Sequence, residues 1–232
     1  MWSMLRMRSA LTALSLSVLV VAGGALGSAS ASADPVVAGP VDFPSTTQMV
    51  TVSVAKRSDT TGTLTAYDKV DGVWRPVIGP VKAFVGSMGI GVPKDDVPRT
   101  PEGTFAFDQA FGRQANPGTK MPYFQSDIQD WWDEFPSSPT YNTHVRQVAS
   151  PGGDSENLYT SGPVYDYAVN IAHNPQRRPG YASGIFLHVT DGNPTQGCVA
   201  IDKATMISVL KWLDPARDPV IDIGVVGAAQ TA

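Results

Sequence analysis

A single cysteine, Cys198, occurs in the 232 residues, so no internal disulfide can staple this fold. Charge is scarce too: Asp, Glu, Lys and Arg make up only 16% of the chain, and no block of Lys or Arg occurs. With a formal charge of −4, the chain lacks the basic face that nucleic acid or an anionic membrane surface selects, and neither is an expected partner. Histidine is equally sparse, at three residues, His144, His173 and His188, with no two at i, i+4. Together with Cys198 they could supply four zinc ligands, but their spacings fit no finger pattern, and no metal or other cofactor is expected. No internal repeat is visible, and no long apolar run follows residue 33.

What is present begins with an export signal. Arg6 and Arg8 form a short basic region, residues 11–26 are nearly all apolar or small, and Ala31-Ser32-Ala33 supplies a small-x-small cleavage pattern. The apolar part is too short for a comfortable membrane span. Residues 1–33 are therefore expected to be removed, leaving a secreted or cell-envelope protein with no stable membrane insertion. Losing Arg6 and Arg8 takes the formal charge from −4 to −6. Outside the cytoplasm a lone thiol is open to oxidation, so Cys198 calls for burial, an intermolecular bridge or chemistry.

Residues 34–47, rich in Pro and Val, read as a tether; 48–226 as one domain, expected to be monomeric; 227–232 as a tail. Val50, Val52 and Val54 alternate with polar neighbours as in a strand. Residues 64–69 and 73–78 read as two strands joined by Asp71-Gly72, a two-residue hairpin turn. Strand patterning continues at 81–85, 104–107, 165–171, 184–189 and 219–226, while Pro93, Pro98 and Pro101 argue against regular structure between 86 and 103. Asp202 can cap a helix over 203–213, with Met206, Val209, Leu210 and Leu213 on one face. Many short strands and one helix imply a mainly β fold, a sandwich or open barrel with the helix packed against it. Residues 112–162 are dominated by Pro, Gly, Ser and Asn, interrupted by Trp131, Trp132, Phe135 and Tyr141. Such a segment is a lid or insertion, its rings either covering a substrate or plugging a satellite core.

Two runs carry the chemistry. Ile185-Phe186-Leu187-His188 ends a buried strand on an imidazole, and ten residues later Gly197-Cys198 leads into Val199-Ala200-Ile201. An imidazolium beside a thiol lowers its pKa from about 8.5 and gives a thiolate nucleophile. The same His188 can then protonate a leaving amine. Gly197 lets a substrate carbonyl approach the backbone, and the N–H groups of Gly197 and Cys198 are natural oxyanion donors. A papain-like peptidase is excluded by chain order, since His188 precedes Cys198.

The run His188-Val189-Thr190-Asp191-Gly192-Asn193-Pro194-Thr195-Gln196-Gly197-Cys198-Val199 resembles the signature of the L,D-transpeptidase (YkuD-like) catalytic domain, and Thr100-Pro101-Glu102-Gly103-Thr104-Phe105 is similar to an upstream segment of that family. The likeness runs over about residues 48–224. It implies acyl transfer on peptidoglycan stem peptides: Cys198 attacks the amide after the third residue, releases a terminal D-amino acid, and passes the acyl group to a second stem's side-chain amine. Thr195 and Gln196 would then touch substrate, and a carbapenem-type β-lactam would acylate Cys198. Water as acceptor would give an L,D-carboxypeptidase, and loss of chemistry a silent wall-binding module. Val189 stands where Gly or Ser is common, and Ala200 where an Arg often grips a carboxylate. Trp132 and Tyr141 are the expected replacements for that grip, with Arg177 and Arg178 as the charged alternative.

Overall fold

The computed structural model describes residues 45–227. The expected signal peptide, most of the tether and the tail from 228 lie outside those residues.

The first three strands, β1 (Gln48–Val54), β2 (Thr61–Val70) and β3 (Val73–Phe84), form a meander. Asp71 (φ 52°) and Gly72 (φ 78°) are both left-handed, the geometry of a tight hairpin whose twist matches its strands. The two strands expected at 73–78 and 81–85 are one. Leu64 pairs with Val81 and Ala66 with Ile78, so Gly79 and Pro80 together oppose Thr65 alone. That bulge absorbs a proline that has no N–H for the ladder.

Next come β4 (Ile90–Gly91), β5 (Thr100–Pro101) and β6 (Gly103–Gly112). The β4–β5 pair corrects the expectation of no regular structure around the prolines. Pro101 lacks an N–H, but the next one along, on Glu102, reaches the Gly91 carbonyl at 3.0 Å. Strand β7 (Tyr123–Gln125) lies beside the end of β6. The proline-rich excursion holds its own small sheet of β8 (Asp130–Asp133), β9 (Thr143–Arg146) and β10 (Glu156–Asn157), in the order β10-β8-β9.

The chain then returns through β11 (Ala168–Ile171), β12 (Phe186–Val189), β13 (Val199–Ile201), helix α1 (Lys203–Trp212) and β14 (Val220–Val225). The alternating run from 165 becomes strand only at Ala168, because Pro163 opens a short turn ending at Tyr165. The main sheet runs β11-β12-β13-β3-β2-β1-β14-β6, and β6 also pairs with β11. The fold is thus mainly β, with a barrel-like sheet closed through β6. Ten residues let β6 change partners, with Gly103–Ala106 on β14 and Phe107–Phe111 on β11.

Helix α1 begins as its sequence suggests, with Asp202 accepting the Thr205 N–H at 2.9 Å. Its Met206, Val209 and Leu210 pack with Val50, Val52, Leu187 and Ile201 in the main core. A second cluster joins the excursion to the barrel: Trp132 and Leu158 from the former, Phe111, Tyr165, Phe186 and Cys198 from the latter. Rings meet edge to face there, Trp132 on Phe186 at 5.0 Å and Phe111 on Phe186 at 5.1 Å, an arrangement aromatic quadrupoles favour.

Candidate active site

Strands β12 and β13 run parallel, with His188 opposite Ala200. Cys198 is two residues before Ala200, so the thiol, Ala200 and the imidazole look out on one face. All three line a cleft of about 810 Å³.

The backbone at the thiol is braced by hydroxyls. The Cys198 carbonyl accepts from Thr195 Oγ1 at 2.6 Å and from Thr100 Oγ1 at 3.0 Å, and Thr100 Oγ1 itself accepts the Gly86 N–H at 2.8 Å. Gly197 has φ 144°, and a Cβ there would lie 2.9 Å from Ile185 Cδ1 and 3.3 Å from the Arg99 carbonyl. Only glycine fits this approach. Its N–H, expected as an oxyanion donor, goes instead to Thr195 Oγ1 at 3.1 Å, which leaves the Cys198 N–H as the donor of that pair.

The expected thiolate–imidazolium pair is not what this arrangement favours. Among the described residues, Sγ accepts the Phe186 N–H and donates to the Gly184 carbonyl, each at 3.3 Å, and no hydrogen bond joins it to His188. Burial pushes the Cys198 thiol well above its ordinary value; the Phe186 N–H opposes this, and Glu156 and Glu134 add to it. Burial also lowers His188, against the opposing pull of the Val189 carbonyl. Both shifts favour the neutral forms. Nδ1 lies 2.8 Å from the Val189 carbonyl, which can only accept, so Nδ1 carries the proton, and the Val164 carbonyl also pulls on the ring. The edge of Tyr165 meets the His188 ring at 5.4 Å.

The other histidines serve structure. His144 Nε2 bonds Asp130 at 2.8 Å while its ring stacks on Phe124, and His173 is clamped between the carbonyls of Ile171 and Tyr181. Among the described residues no group of three His, Cys, Asp or Glu could hold a metal ion. Nor is any described helix long and apolar enough to cross a membrane.

Residues 50–221 match the model of the YkuD L,D-transpeptidase catalytic domain. The chain belongs to that family. Its members are cysteine-based enzymes that act on peptidoglycan peptides. No curated protein matches the chain. Among solved structures, the crystal structure of the helical cell shape determining protein Pgp2 from Campylobacter jejuni is similar at 14% identity and a TM-score of 0.38. The likeness covers 76% of this chain and 47% of that one, so the chain spans about half its length.

Within this L,D-transpeptidase family member, Thr195 and Gln196 line the cleft, as does Ala200. Trp132 and Tyr141, expected to grip substrate, are not among the lining residues. Trp132 is 4% exposed and donates Nε1–H to Asn142 at 3.0 Å; Tyr141 is 3% exposed and bonds Asp95. A ring that must fill the joint between two sheets cannot also face solvent. Arg177 and Arg178 are exposed and stand apart from the cleft lining. The residues that do line it, and that sequence reasoning missed, are carboxylates: Asp95, Asp96, Glu134, Asp154, Glu156 and Asp191, against Lys94 alone among Lys and Arg. They are scattered over almost a hundred residues, and no spacing signalled them. Burial pushes Glu134 up to about 8, with Glu156, Asp154 and Asp95 adding to the shift and the Ser183 hydroxyl opposing it. Glu156 is raised by burial too, against the Tyr165 hydroxyl that it accepts at 2.6 Å.

Proposed function

We propose that the protein is an exported L,D-transpeptidase in which Cys198 carries the acyl group of a peptidoglycan stem peptide and His188 moves the protons. The observation that carries this reading is the Cys198 thiol and the His188 imidazole opening onto one cleft from two parallel strands, with the Cys198 carbonyl braced by the Thr100 and Thr195 hydroxyls. For attack, the thiol turns from the Gly184 carbonyl toward His188, which takes its proton as sulfur bonds to the amide carbon. Such contacts commonly close only when substrate is present. The imidazolium then protonates the leaving D-amino acid, and the Cys198 N–H faces the oxyanion. A silent wall-binding module is disfavoured, because a braced thiol beside a base serves no purpose in mere binding. Export follows from the basic, apolar and small-x-small pattern of residues 1–33.

The test is intact-protein mass spectrometry after mixing the purified protein with a tetrapeptide stem or a carbapenem. A stable adduct on the native protein, absent in Cys198→Ala, is expected. With His188→Ala, adduct formation slows by about 10²–10⁴. An unmodified native protein that nonetheless cleaves or joins stems would overturn the nucleophile.

A further inference from the structure

The excursion contributes acid to the cleft. Glu134 directly follows β8, and its carboxyl lies over Gly184: a Cβ built on Gly184 (φ 60°) would sit 2.2 Å from Glu134 Oε1. The Gly184 carbonyl in turn accepts the Cys198 thiol, so a single residue separates the carboxyl from the nucleophile. Ser183 Oγ donates to Oε2 at 3.1 Å, and the Glu134 N–H reaches Ser155 Oγ at 3.1 Å. Among the described residues nothing donates to Oε1, and no Lys, Arg or His pairs with the group. Gly184 thus leaves a cradle that any side chain would fill, and the cradle holds one carboxylate oxygen unpartnered at the mouth of the thiol.

We infer that Glu134 receives the acyl acceptor, an ammonium group, and takes a proton from it so that it attacks as a free amine. The inference rests on the acyl-thioester reading of Cys198. A primary alkylamine titrates near ~10.4 and is almost wholly protonated at neutral pH, where it has no lone pair to attack with. An ordinary carboxylate, near ~4.3, is a poor base for it. A carboxyl raised by burial to about 8 is far better matched. The groups facing Glu134 are Asp95, Asp154 and Glu156, with Lys94 on the same cleft, so a cation entering there relieves like-charge repulsion.

The step balances. The ammonium gives one proton to the Glu134 carboxylate, and the amine nitrogen bonds to the acyl carbon. The carbon–sulfur bond breaks, with its electron pair going to sulfur, and the second nitrogen proton passes through His188 to restore the Cys198 thiol. Glu134 returns its proton to water. Thioester and ammonium become amide, thiol and one released proton.

Two acceptors separate this role from a structural one. Nα-acetyl-lysine presents an ammonium, whereas methoxyamine is uncharged at neutral pH and needs no base to expose its lone pair. With a tetrapeptide donor, the ratio of transfer to hydrolysis is measured for each by chromatography and mass spectrometry. Glu134→Gln keeps the shape and can still accept from Ser183. It is expected to lower the ratio about hundredfold for Nα-acetyl-lysine and less than about threefold for methoxyamine. In the native protein the Nα-acetyl-lysine ratio climbs as pH rises through about 8, where Glu134 ionises, and then flattens, whereas in Glu134→Gln it starts lower and keeps following the free-amine fraction toward ~10.4. Glu134→Asp, which keeps the acid one methylene further back, falls between the two and decides the matter if the Gln variant does not fold. Equal losses for both acceptors, or no loss, overturn the role of Glu134. A native protein that forms no thioester adduct overturns the acyl-enzyme itself, a result visible in the intact mass before any acceptor is added.

Discussion

The barrel and the excursion over 113–162 are held together by opposite means. In the barrel, long ladders bury Val, Ile and Leu on a period the sequence displays, and α1 closes over them. The excursion's strands are two to four residues long, and carboxylates do the holding. Asp133 accepts from the Ser138 hydroxyl, from Thr140 Oγ1 at 2.7 Å and from the Phe135 N–H at 3.0 Å; Asp130 binds His144 and Arg146. Trp132 is the apolar bolt between the two. The barrel brings the thiol and imidazole to the cleft, with Asp95, Asp96 and Asp191 from its loops, and the excursion adds Glu134, Asp154 and Glu156.

The sharpest way to break that comparison is to remove the bolt. Trp132→Ala leaves a hole between Phe186 and the small sheet, and a loss of about 3–5 kcal/mol is expected in denaturant unfolding. An unchanged midpoint would mean the ring is a surface contact after all.

Asp133→Ala comes next, at about 3 kcal/mol, since it strands several donors around a buried site. Burial pushes the Asp133 carboxyl up, but the Ser138 and Thr140 hydroxyls and the Phe135 N–H prevail and hold it below the ordinary carboxylate range. A depressed carboxyl stabilises above its unfolded value, near ~3.9, and that contribution is lost as pH falls through the folded one. The excursion is therefore expected to lose amide-exchange protection in acid below about pH 4 before the barrel does. Simultaneous loss would show that the two regions unfold as one.

The difference also explains what could be read from sequence. Val50, Val52 and Val54, the Asp71-Gly72 turn and the Asp202 cap are local patterns, and each names its element. His188 and Gly197-Cys198 are legible because their chemistry needs few residues at short spacing. Asp133 finds partners five and seven residues on, and Asp130 fourteen and sixteen, which no hydrophobic period records. Trp132 illustrates the limit: an aromatic residue in a polar stretch announces that it will be buried by something, not whether by substrate or by Phe186. Glu134 was invisible because its role depends on Gly184, fifty residues later.

At the junction itself, the thiol reports on both regions. Burial in the barrel and the nearby Glu134 and Glu156 all disfavour the thiolate. Iodoacetamide, which reacts with thiolate, is therefore expected to modify Cys198 slowly at pH 7 and about a hundredfold faster at pH 9, without a plateau. A plateau reached near neutrality would restore the thiolate–imidazolium pair.

The smallest effect is expected at Asp202, and it sharpens the contrast because the chemistry is the same as at Asp133. Both are carboxylates accepting backbone N–H bonds at the start of a turn, Asp202 from Thr205 and Asp133 from Phe135. In α1, however, Met206, Val209 and Leu210 are fully buried, so the helix stays docked without its cap. Asp202→Ala should therefore cost about 1 kcal/mol, the ordinary worth of an N-cap, read as a shift in denaturant midpoint with unchanged slope. The buried Asp133 carboxylate instead gathers the Ser138 and Thr140 hydroxyls and the Phe135 N–H, so its loss loosens several contacts at once. If the two alanine variants lose equal stability, the excursion's polar network is no more than a set of independent caps, and its order must come from Trp132 alone.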